Sequence, residues 1–249
     1  MLKFTRVLSI IMVIAFLSSA TVFAEVLTLK KKAITVTKAT GTIKLDGKDR
    51  EYSWKKARNM ASTINHTIIT RTKAVVNGQP AGCAKVTTLK YLWSKKALYV
   101  FITIKDKTLY SKGFESIQFD SVEYHIDAKN CDRASYNGIC DEQYRLSRPY
   151  KGTDKKIHTD VTRWGKVNII PAFTKNSKSI GTSTSYTQEV KIVLAHHGVA
   201  NLKAKQKVGF DIQINDATAT KAGRTFQLIW NSLDNAWINP STMGTLIMK

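Results

Sequence analysis

The stretch DSVEYHID, residues 120–127, decides the fold more clearly than any other part of the chain. Its apolar and polar residues alternate, which places one set on each side of an extended strand. The apolar set is Val122, Tyr124 and Ile126, and the polar set is Ser121, Glu123 and His125. This pattern predicts a strand of a sheet that covers a core on one side only.

Similar segments, rich in β-branched and aromatic residues and separated by turn residues, recur along the chain and predict eight strands. These strands span residues 84–93, 97–105, 121–126, 142–147, 185–194, 208–215, 225–230 and 244–248. Only residues 54–57 and 195–204 have a helical pattern, and both segments are short. We therefore predict an all-β fold, an antiparallel β-sandwich of the jelly-roll or immunoglobulin-like kind with one or two short helical turns.

The first 24 residues have the pattern of a secretory signal peptide. A short basic start with Lys3 and Arg6 precedes an apolar run over residues 7–17, and small residues follow before Glu25. The run is too short for a membrane anchor. We expect a secreted, extracellular chain with a leader over residues 25–40 and one domain over residues 41–249.

The chain is strongly basic, with a formal net charge of +21, and loss of Lys3 and Arg6 would leave +19. Such a surplus favours adhesion to anionic material. The lysines are not interleaved with aromatic residues as in a nucleic-acid platform, so nucleic acid is not an expected partner. A cationic adhesin for anionic cell-wall polymers is therefore one alternative function.

The acidic residues are concentrated, because eight of the 18 lie between residues 106 and 142. Asp106, Asp120 and Asp127, with Asp141 nearby, offer the hard oxygen ligands that calcium prefers. Their spacing is not that of an EF-hand, and the alternative role for these carboxylates is the capping of loops and turns. Calcium is thus an expected structural cofactor, with Asp106, Asp120 and Asp127 as candidate ligands.

Three cysteines are present, and two of them flank a polar loop. Cys131 and Cys140 enclose an Asn-Gly turn, and in an oxidising compartment they would close as a disulfide. Cys83 is left over as an unpaired thiol. None of the spacings resembles a zinc ligand set or a redox CxxC motif.

Three predicted strands carry polar groups on one side that suit a sugar. Glu123, Arg145 and the pair Gln213 and Asn215 offer a carboxylate, a guanidinium and two amides. Sugar hydroxyls both donate and accept hydrogen bonds, so such groups bind them well. The alternative is an ordinary solvated sheet face.

Trp237 supplies the aromatic half of a sugar site. It lies in a polar, turn-rich loop before Pro240, where an indole can stack on the C–H face of a sugar ring. The alternative is a tryptophan that folds back and plugs the domain. Trp230 ends a predicted strand and is expected in the core.

Catalysis is not favoured by the sequence. The chain has no GxSxG, HExxH or P-loop motif. A glycosidase needs two facing carboxylates, whereas Asp120 and Glu123 are three residues apart and would point to opposite sides of a strand. A haem-binding redox module on a related sandwich is a second alternative; its axial ligands would have to come from the histidines and from Met60, Met243 or Met248.

The ordered series of short motifs from residue 41 to residue 249 resembles carbohydrate-binding module family 9. The matching pieces are the Asp46-Gly47 and Trp54…Ala57 opening and the segments 97–106, 120–127, 143–145, 209–216, 223–224, Trp230 and 243–246. The resemblance implies a distorted β-sandwich that binds the ends of plant-wall glycans such as xylan or cellulose. It also implies structural calcium, no catalysis, and frequent attachment to a glycoside hydrolase such as a xylanase.

By position, the resemblance assigns the family's ring-stacking tryptophan to Trp237 and its polar contacts to Glu123, Arg145 and Gln213, with Asn215 nearby. The chain departs from the family at its second stacking tryptophan, because Ile117 occupies that position. Phe114 and Phe119 are the neighbouring aromatic residues.

Overall fold

The computed structural model describes residues 30–70, 74–108, 110, 119–147, 159–161, 175–218, 223–232 and 235–249. The predicted signal peptide, Ile117, Phe114 and Trp164 lie outside the described residues.

The described residues contain 13 strands, one α-helix and three short 3-10 turns. The strands are β1 (Ala33–Lys38), β2 (His66–Ile69), β3 (Ala74–Asn77), β4 (Lys85–Trp93), β5 (Ala97–Lys105), β6 (Ser121–Asp127), β7 (Asp141–Ser147), β8 (Thr159–Val161), β9 (Ser177–Gly181), β10 (Ser185–Val193), β11 (Lys207–Asp216), β12 (Phe226–Ile229) and β13 (Gly244–Met248). The helix is α1 (Tyr52–Lys56), and the 3-10 turns are Ala61–Thr63, Leu194–His197 and Pro240–Thr242. Among the described residues, no helix has the length and apolar character needed to cross a membrane.

The strands form two sheets whose apolar sides pack together, which confirms the predicted all-β sandwich. In sheet A, β11 pairs with β6 along one edge, and β7 and β8 follow β6. Along its other edge β11 pairs with β13 and then with β12, beyond which lie β2 and β3. Sheet B runs β4, β5, β10 and β9.

Strand β1 joins the two sheets, and this differs from the sequence prediction of a leader over residues 25–40. Its first part pairs in parallel with β13, and Thr37 and Lys38 pair in parallel with β4. The sandwich is therefore mixed rather than wholly antiparallel. Lysine and threonine make the alternation of apolar and polar residues in this segment hard to recognise. Val36 is nevertheless 1% exposed and belongs to the core.

The eight predicted strands are confirmed to within one or two residues at each end. The strands that the sequence analysis missed, apart from β1, are β2, β3, β8 and β9, which have three to five residues each. Such short segments carry too few alternating residues to stand out from loops. The helical segment near Trp54 is α1, whereas only three residues of the second predicted segment are helical, in the 3-10 turn Leu194–His197.

The main core lies between the two sheets, as the alternation in residues 120–127 requires. Val122, Tyr124 and Ile126 are fully buried there with residues such as Val100 and Ile102 of sheet B. Each fully buried side chain of this size contributes about 1.5–3 kcal/mol by leaving water. Trp230 is also fully buried in this core, as predicted.

The opening segment is fastened to the outside of sheet B by one buried carboxylate. Glu189 is fully buried; its Oε1 accepts from Trp54 Nε1 at 2.9 Å. Its Oε2 accepts from the backbone N–H groups of Asp46 at 3.0 Å and Gly47 at 2.9 Å. Gly47 has a φ of 77°, a left-handed conformation that favours glycine. Glu189 therefore explains why an Asp-Gly turn and a tryptophan occur together at the start of the domain.

We predict that Glu189→Ala lowers the free energy of unfolding by about 3 kcal/mol, because two buried N–H donors and one part-buried N–H donor lose their acceptor. Trp54→Phe, which removes a single donor, should cost less. Lys191→Ala, in the same strand, is the matched control and should change stability by less than about 0.5 kcal/mol. Urea denaturation measures all three. A Glu189→Ala protein as stable as the control would show that this carboxylate does not anchor the segment.

Candidate functional site

The outer side of sheet A carries a set of polar residues that we call the polar face. Its members are Ser121, Glu123 and His125 from β6, Gln143 and Arg145 from β7, Asp211, Gln213 and Asn215 from β11, and Gln227 from β12. A solvated sheet face would be exposed, but these side chains are buried: Glu123 is 3% exposed, Arg145 6%, and Gln213 and Asn215 0%. The polar face is therefore an internal layer.

Strand register brings the four predicted sugar contacts together. Glu123 lies opposite Arg145 of β7 on one side and opposite Gln213 of β11 on the other. Directly opposed residues in antiparallel strands have Cβ atoms about 4.5–5.5 Å apart, so their side chains meet. Asn215 lies two residues along β11 and points to the same side.

Glu123 is the centre of this layer. Its Oε1 accepts from Arg145 Nε at 3.0 Å and from Asn215 Nδ2 at 2.8 Å, and its Oε2 accepts from Gln143 Nε2 at 2.9 Å. Burial alone raises the pKa of Glu123, but the contact with His125 and the Arg145 charge outweigh it and hold this pKa well below its usual range. The carboxylate is therefore ionised and paired with Arg145.

Hydrogen bonds extend from Glu123 across the neighbouring strands. Asn215 Oδ1 accepts from Arg224 Nη1 at 2.8 Å. Gln213 accepts from Gln227 at 2.7 Å and donates to Ser232 Oγ at 2.9 Å. A buried polar layer satisfied in this way holds each side chain in one orientation. Gln213 therefore presents a fixed amide, with both its oxygen and its nitrogen already engaged.

The loop that carries Trp237 is linked to the polar face through Tyr136. Within residues 235–243, Trp237 is 36% exposed and Ile238 is 47% exposed, whereas Ala236 is buried. The Tyr136 hydroxyl donates to the Ala236 carbonyl at 2.6 Å and lies 3.2 Å from His125 Nδ1. Trp237 is therefore a partly exposed loop tryptophan.

Tyr136 is a residue that the sequence analysis missed. It belongs to the loop over residues 128–140 and packs with Ala236 and Met243. A second link joins the same two loops, since Ser241 N donates to the Arg133 carbonyl at 2.9 Å. Burial, followed by the charges of Asp141 and Glu142, holds the pKa of Tyr136 well above its usual range, so its hydroxyl stays a donor. No local pattern marks this tyrosine, because its partners come from β6 and from a loop 100 residues later.

At one end of β6, three aspartates meet in a group that we call the acidic trio. Asp106, Asp120 and Asp216 each offer a carboxylate oxygen, and these oxygens lie within 4.8 Å of one another. All three residues are buried, and Asp216 Oδ1 has no hydrogen-bond partner among the described residues. Asp106 follows β5 of sheet B, whereas Asp120 precedes β6 and Asp216 ends β11, both strands of sheet A. The acidic trio therefore spans the two sheets.

The surroundings of the acidic trio raise its pKa values. Burial, and then the charge of Asp106, raises the pKa of Asp120 to about 9 and that of Asp216 to about 7. Backbone N–H groups hold the carboxylates in place: Asp120 accepts from Tyr110 and Ala217, and Asp216 accepts from Ala84 at 2.5 Å. Three carboxylates so close together repel one another unless a proton or a cation intervenes.

The predicted metal set of Asp106, Asp120 and Asp127 needs a correction, because the structure separates Asp127 from the other two. Asp120 precedes β6 and Asp127 ends it, so seven residues of strand, about 23 Å, lie between them. Asp216 takes the third place instead, since the pairing of Asn215 with Ser121 brings the ends of β11 and β6 together. The alternative capping role is also present: Asp141 Oδ1 accepts from Asn137 N at 2.8 Å.

The cysteines are free thiols in the structure, with Cys140 buried and Cys131 half-buried. One ligand atom each from Cys131, Cys140 and Asp127 lies within 4.8 Å of the others. The disulfide therefore stays a prediction. Cys83 lies elsewhere, and its Sγ is 3.0 Å from the Pro80 carbonyl.

The methionines considered as haem ligands have packing roles. Met60 and Met248 are buried in the main core, and Met243 packs with Tyr136 and Ala236. Phe119, one of the two aromatic residues near the second stacking position, is 4% exposed. It therefore contributes to the interior rather than to a surface.

We predict that Tyr136→Phe loosens the loop over residues 235–243, because it removes the hydrogen bond to Ala236 and leaves the packing intact. Loss of about 1 kcal/mol should speed amide hydrogen exchange in this loop by about fivefold to tenfold. Tyr52→Phe makes the same chemical change at a residue that is 65% exposed, and it should leave the exchange unchanged. Equal exchange in both variants would contradict the proposed link.

A family model described as "Carbohydrate family 9 binding domain-like" matches residues 45–249. Endo-1,4-beta-xylanase C of Paenibacillus barcinonensis is 29% identical over 211 residues, which cover 84% of this chain and 16% of that protein. Endo-1,4-beta-xylanase A of Thermotoga maritima is 30% identical over 234 residues, which cover 88% of this chain and 18% of that protein. The chain thus spans less than a fifth of the length of these relatives.

Solved structures show the same fold. A carbohydrate binding module family 9 from Caldicellulosiruptor kristjanssonii, in complex with cellotriose, superimposes with a TM-score of 0.66 at 22% sequence identity. That match covers 88% of this chain and 94% of the other. The same protein in complex with glucose also gives a TM-score of 0.66, at 23% identity. At this level of identity the likeness establishes the fold alone.

Proposed function

Since the chain belongs to the family of carbohydrate family 9 binding domain-like proteins, we propose that it is a secreted, non-catalytic module that binds plant or cell-wall glycans. The observation that carries the proposal is the exposed indole of Trp237, on a loop that Tyr136 links to His125 of the polar face. Apolar C–H faces and hydroxyl edges are the two surfaces of a sugar, and this arrangement offers a partner for each.

Trp237 would provide the stacking surface. Its ring is large, rigid and partly exposed, and Ala236 anchors its loop through Tyr136. An aromatic ring fixed in advance binds with little loss of conformational entropy. Arg145 would donate to a sugar hydroxyl. The buried Glu123, which accepts from Arg145 and from Asn215, would hold the guanidinium in position, with Gln213 in the same layer.

The hydrogen bonds within the polar face support this role. A guanidinium and a carboxylate that are already paired keep their remaining groups in fixed directions, which suits the fixed hydroxyl geometry of a sugar. The proposed ligands are neutral glucose- or xylose-based chains, such as cellulose and xylan fragments. Related structures contain cellotriose and glucose, and several relatives are named as xylanases.

A partner enzyme belongs to the proposal as well. The curated relatives are much longer than this chain, which corresponds to 16% of one xylanase and 18% of another. We propose that this module concentrates a glycoside hydrolase, such as a xylanase, on the polysaccharide. The signal-like residues 1–24 support export, as such a role requires.

Replacing Trp237 by alanine should weaken binding of a neutral cello- or xylo-oligosaccharide about tenfold to hundredfold, since an aromatic stacking contact contributes about 1–3 kcal/mol. Trp237→Phe should lose less. Ile238→Ala removes the neighbouring exposed side chain of the same loop and is the matched control. Isothermal titration calorimetry at low and high salt measures each protein.

The possible results distinguish three claims: the proposed sugar-binding function, the assignment of Trp237 to its site, and the cationic adhesin as the alternative function. Binding that survives high salt supports stacking on a neutral glycan, whereas binding only to anionic polymer that is lost in salt supports the adhesin. A wild-type chain that binds no neutral saccharide would overturn the function. A Trp237→Ala chain that binds as tightly as wild type would overturn only the site.

We also propose that calcium occupies the acidic trio. Calcium takes six to eight oxygen ligands, and three buried carboxylates supply several of them. The buried Asp216 Oδ1 without a partner is the observation that such an ion explains. Because the acidic trio spans both sheets, the bound ion would tie one end of the sandwich together.

Calcium should therefore raise the melting temperature. At about a hundredfold excess over its Kd, an ion that binds only the native state adds about 2.7 kcal/mol, or roughly 5–10 °C for a domain of this size. Asp216→Asn should remove most of the rise. Asp49→Asn, which weakens the ion pair with Lys90, is the control and should keep the rise. The same rise in both variants would place the ion elsewhere.

A further inference from the structure

A second group of ligating side chains lies at the opposite end of β6 from the acidic trio. Asp127 ends β6, Asp141 begins β7, and the two residues pair directly. The loop over residues 128–140 therefore starts and ends at adjacent positions of sheet A. Cys131 and Cys140 lie on this loop, and their sulfur atoms are within 4.8 Å of each other and of an Asp127 carboxylate oxygen. This thiol–carboxylate group has no part in the proposed sugar site.

Backbone hydrogen bonds hold the thiol–carboxylate group in place without any bond between the sulfurs. Ala128 N donates to the Cys140 carbonyl at 2.7 Å, and Asp132 N donates to Asp127 Oδ2 at 2.8 Å. Asn130 and Asp132 have φ values of 52° and 57°, so the chain turns tightly around Asp127. The loop therefore presents both sulfurs to one carboxylate in the dithiol state.

Gly209 makes room for this carboxylate. It pairs with Asp127 across β11 and β6. A Cβ atom at residue 209 would lie 2.9 Å from the Cβ of Asp127, closer than real side chains approach. The glycine thus allows Asp127 to sit against the strand while remaining only 2% exposed.

Asp127 supplies an independent sign of a missing ligand. Its Oδ1 is buried and has no hydrogen-bond partner among the described residues. Burial of an unmatched carboxylate oxygen costs free energy that folding would otherwise have to offset. A cation between the carboxylate and the two sulfurs would satisfy this oxygen.

We propose that Asp127, Cys131 and Cys140 form a binding site for a thiophilic divalent cation, with zinc as its ordinary occupant. Two sulfurs and one carboxylate oxygen are zinc ligands, whereas calcium prefers oxygen ligands alone. Tetrahedral zinc with bonds of about 2.0–2.3 Å needs ligand atoms about 3.5–3.8 Å apart, which fits within the observed 4.8 Å limit. Water, or Asp141 Oδ2 at 3.9 Å from Cys140 Sγ, can complete the set.

The binding step needs no oxidant. Zinc displaces one proton from each of the two thiols, forms two Zn–S bonds and one Zn–O bond, and leaves every oxidation state unchanged. A Cys131–Cys140 disulfide would instead require a two-electron oxidant, and it would leave Asp127 Oδ1 without a partner. The two states exclude each other, because they use the same sulfurs.

The test uses the full chain, isolated without chelator or reductant. We expect one zinc per chain by elemental analysis and two thiols that react with a thiol reagent only after the metal is removed. After removal, titration with cadmium should produce the ultraviolet charge-transfer band of thiolate-bound metal, with saturation at one equivalent. Cys83→Ser should bind zinc and cadmium as the wild type does, since Cys83 lies elsewhere.

Variants at the site decide the assignment. Cys140→Ser and Cys131→Ser should each lose the cadmium band, and Asp127→Asn should weaken zinc affinity at least tenfold. Circular dichroism and melting temperature establish that each variant is folded, and because Cys131 is only half-buried, its variant is the safer of the two cysteine changes. Unchanged affinity in a folded Asp127→Asn or Cys131→Ser chain overturns the proposal. A Cys131–Cys140 disulfide in the isolated protein overturns it equally.

Discussion

The structure depends on a single constraint: a layer of charged and polar side chains on the outer side of sheet A is buried and must be satisfied from within. Glu123 meets this requirement by accepting from Arg145, Asn215 and Gln143 at once. An ionised carboxylate without those donors would destabilise the fold by several kcal/mol. The register of β6, β7 and β11 is therefore fixed on both sides, by apolar packing inside and by hydrogen bonds outside.

This constraint also positions the loops. His125 extends the polar face to Tyr136, and Tyr136 holds the Ala236 carbonyl beside Trp237. An exposed indole is thus supported by a rigid strand rather than by its own loop, which has few other buried residues. Binding surfaces that are organised before the ligand arrives need less ordering on binding.

Much of this architecture could be predicted from the sequence, because alternation is a local signal. The eight predicted strands, the two faces of β6 and the outward direction of Glu123, Arg145 and Gln213 all follow from residues two positions apart. The exposed position of Trp237 follows from its polar loop. Strand β1 could not be recognised, since its pairing with both β13 and β4 depends on strands 50 to more than 200 residues away.

By itself, the amino-acid sequence determined that the chain is a β-sandwich and which side chains face out of each strand. Only the tertiary structure decided which of those groups meet. It placed Asp216 rather than Asp127 beside Asp106 and Asp120, it placed Asp127 beside the two thiols, and it buried the polar face. The reason is physical. The direction of a side chain is set by the two-residue period of its own strand, so a short stretch of sequence shows it. Contact between distant residues is set by strand register and by the connections between strands, and a short stretch of sequence shows neither.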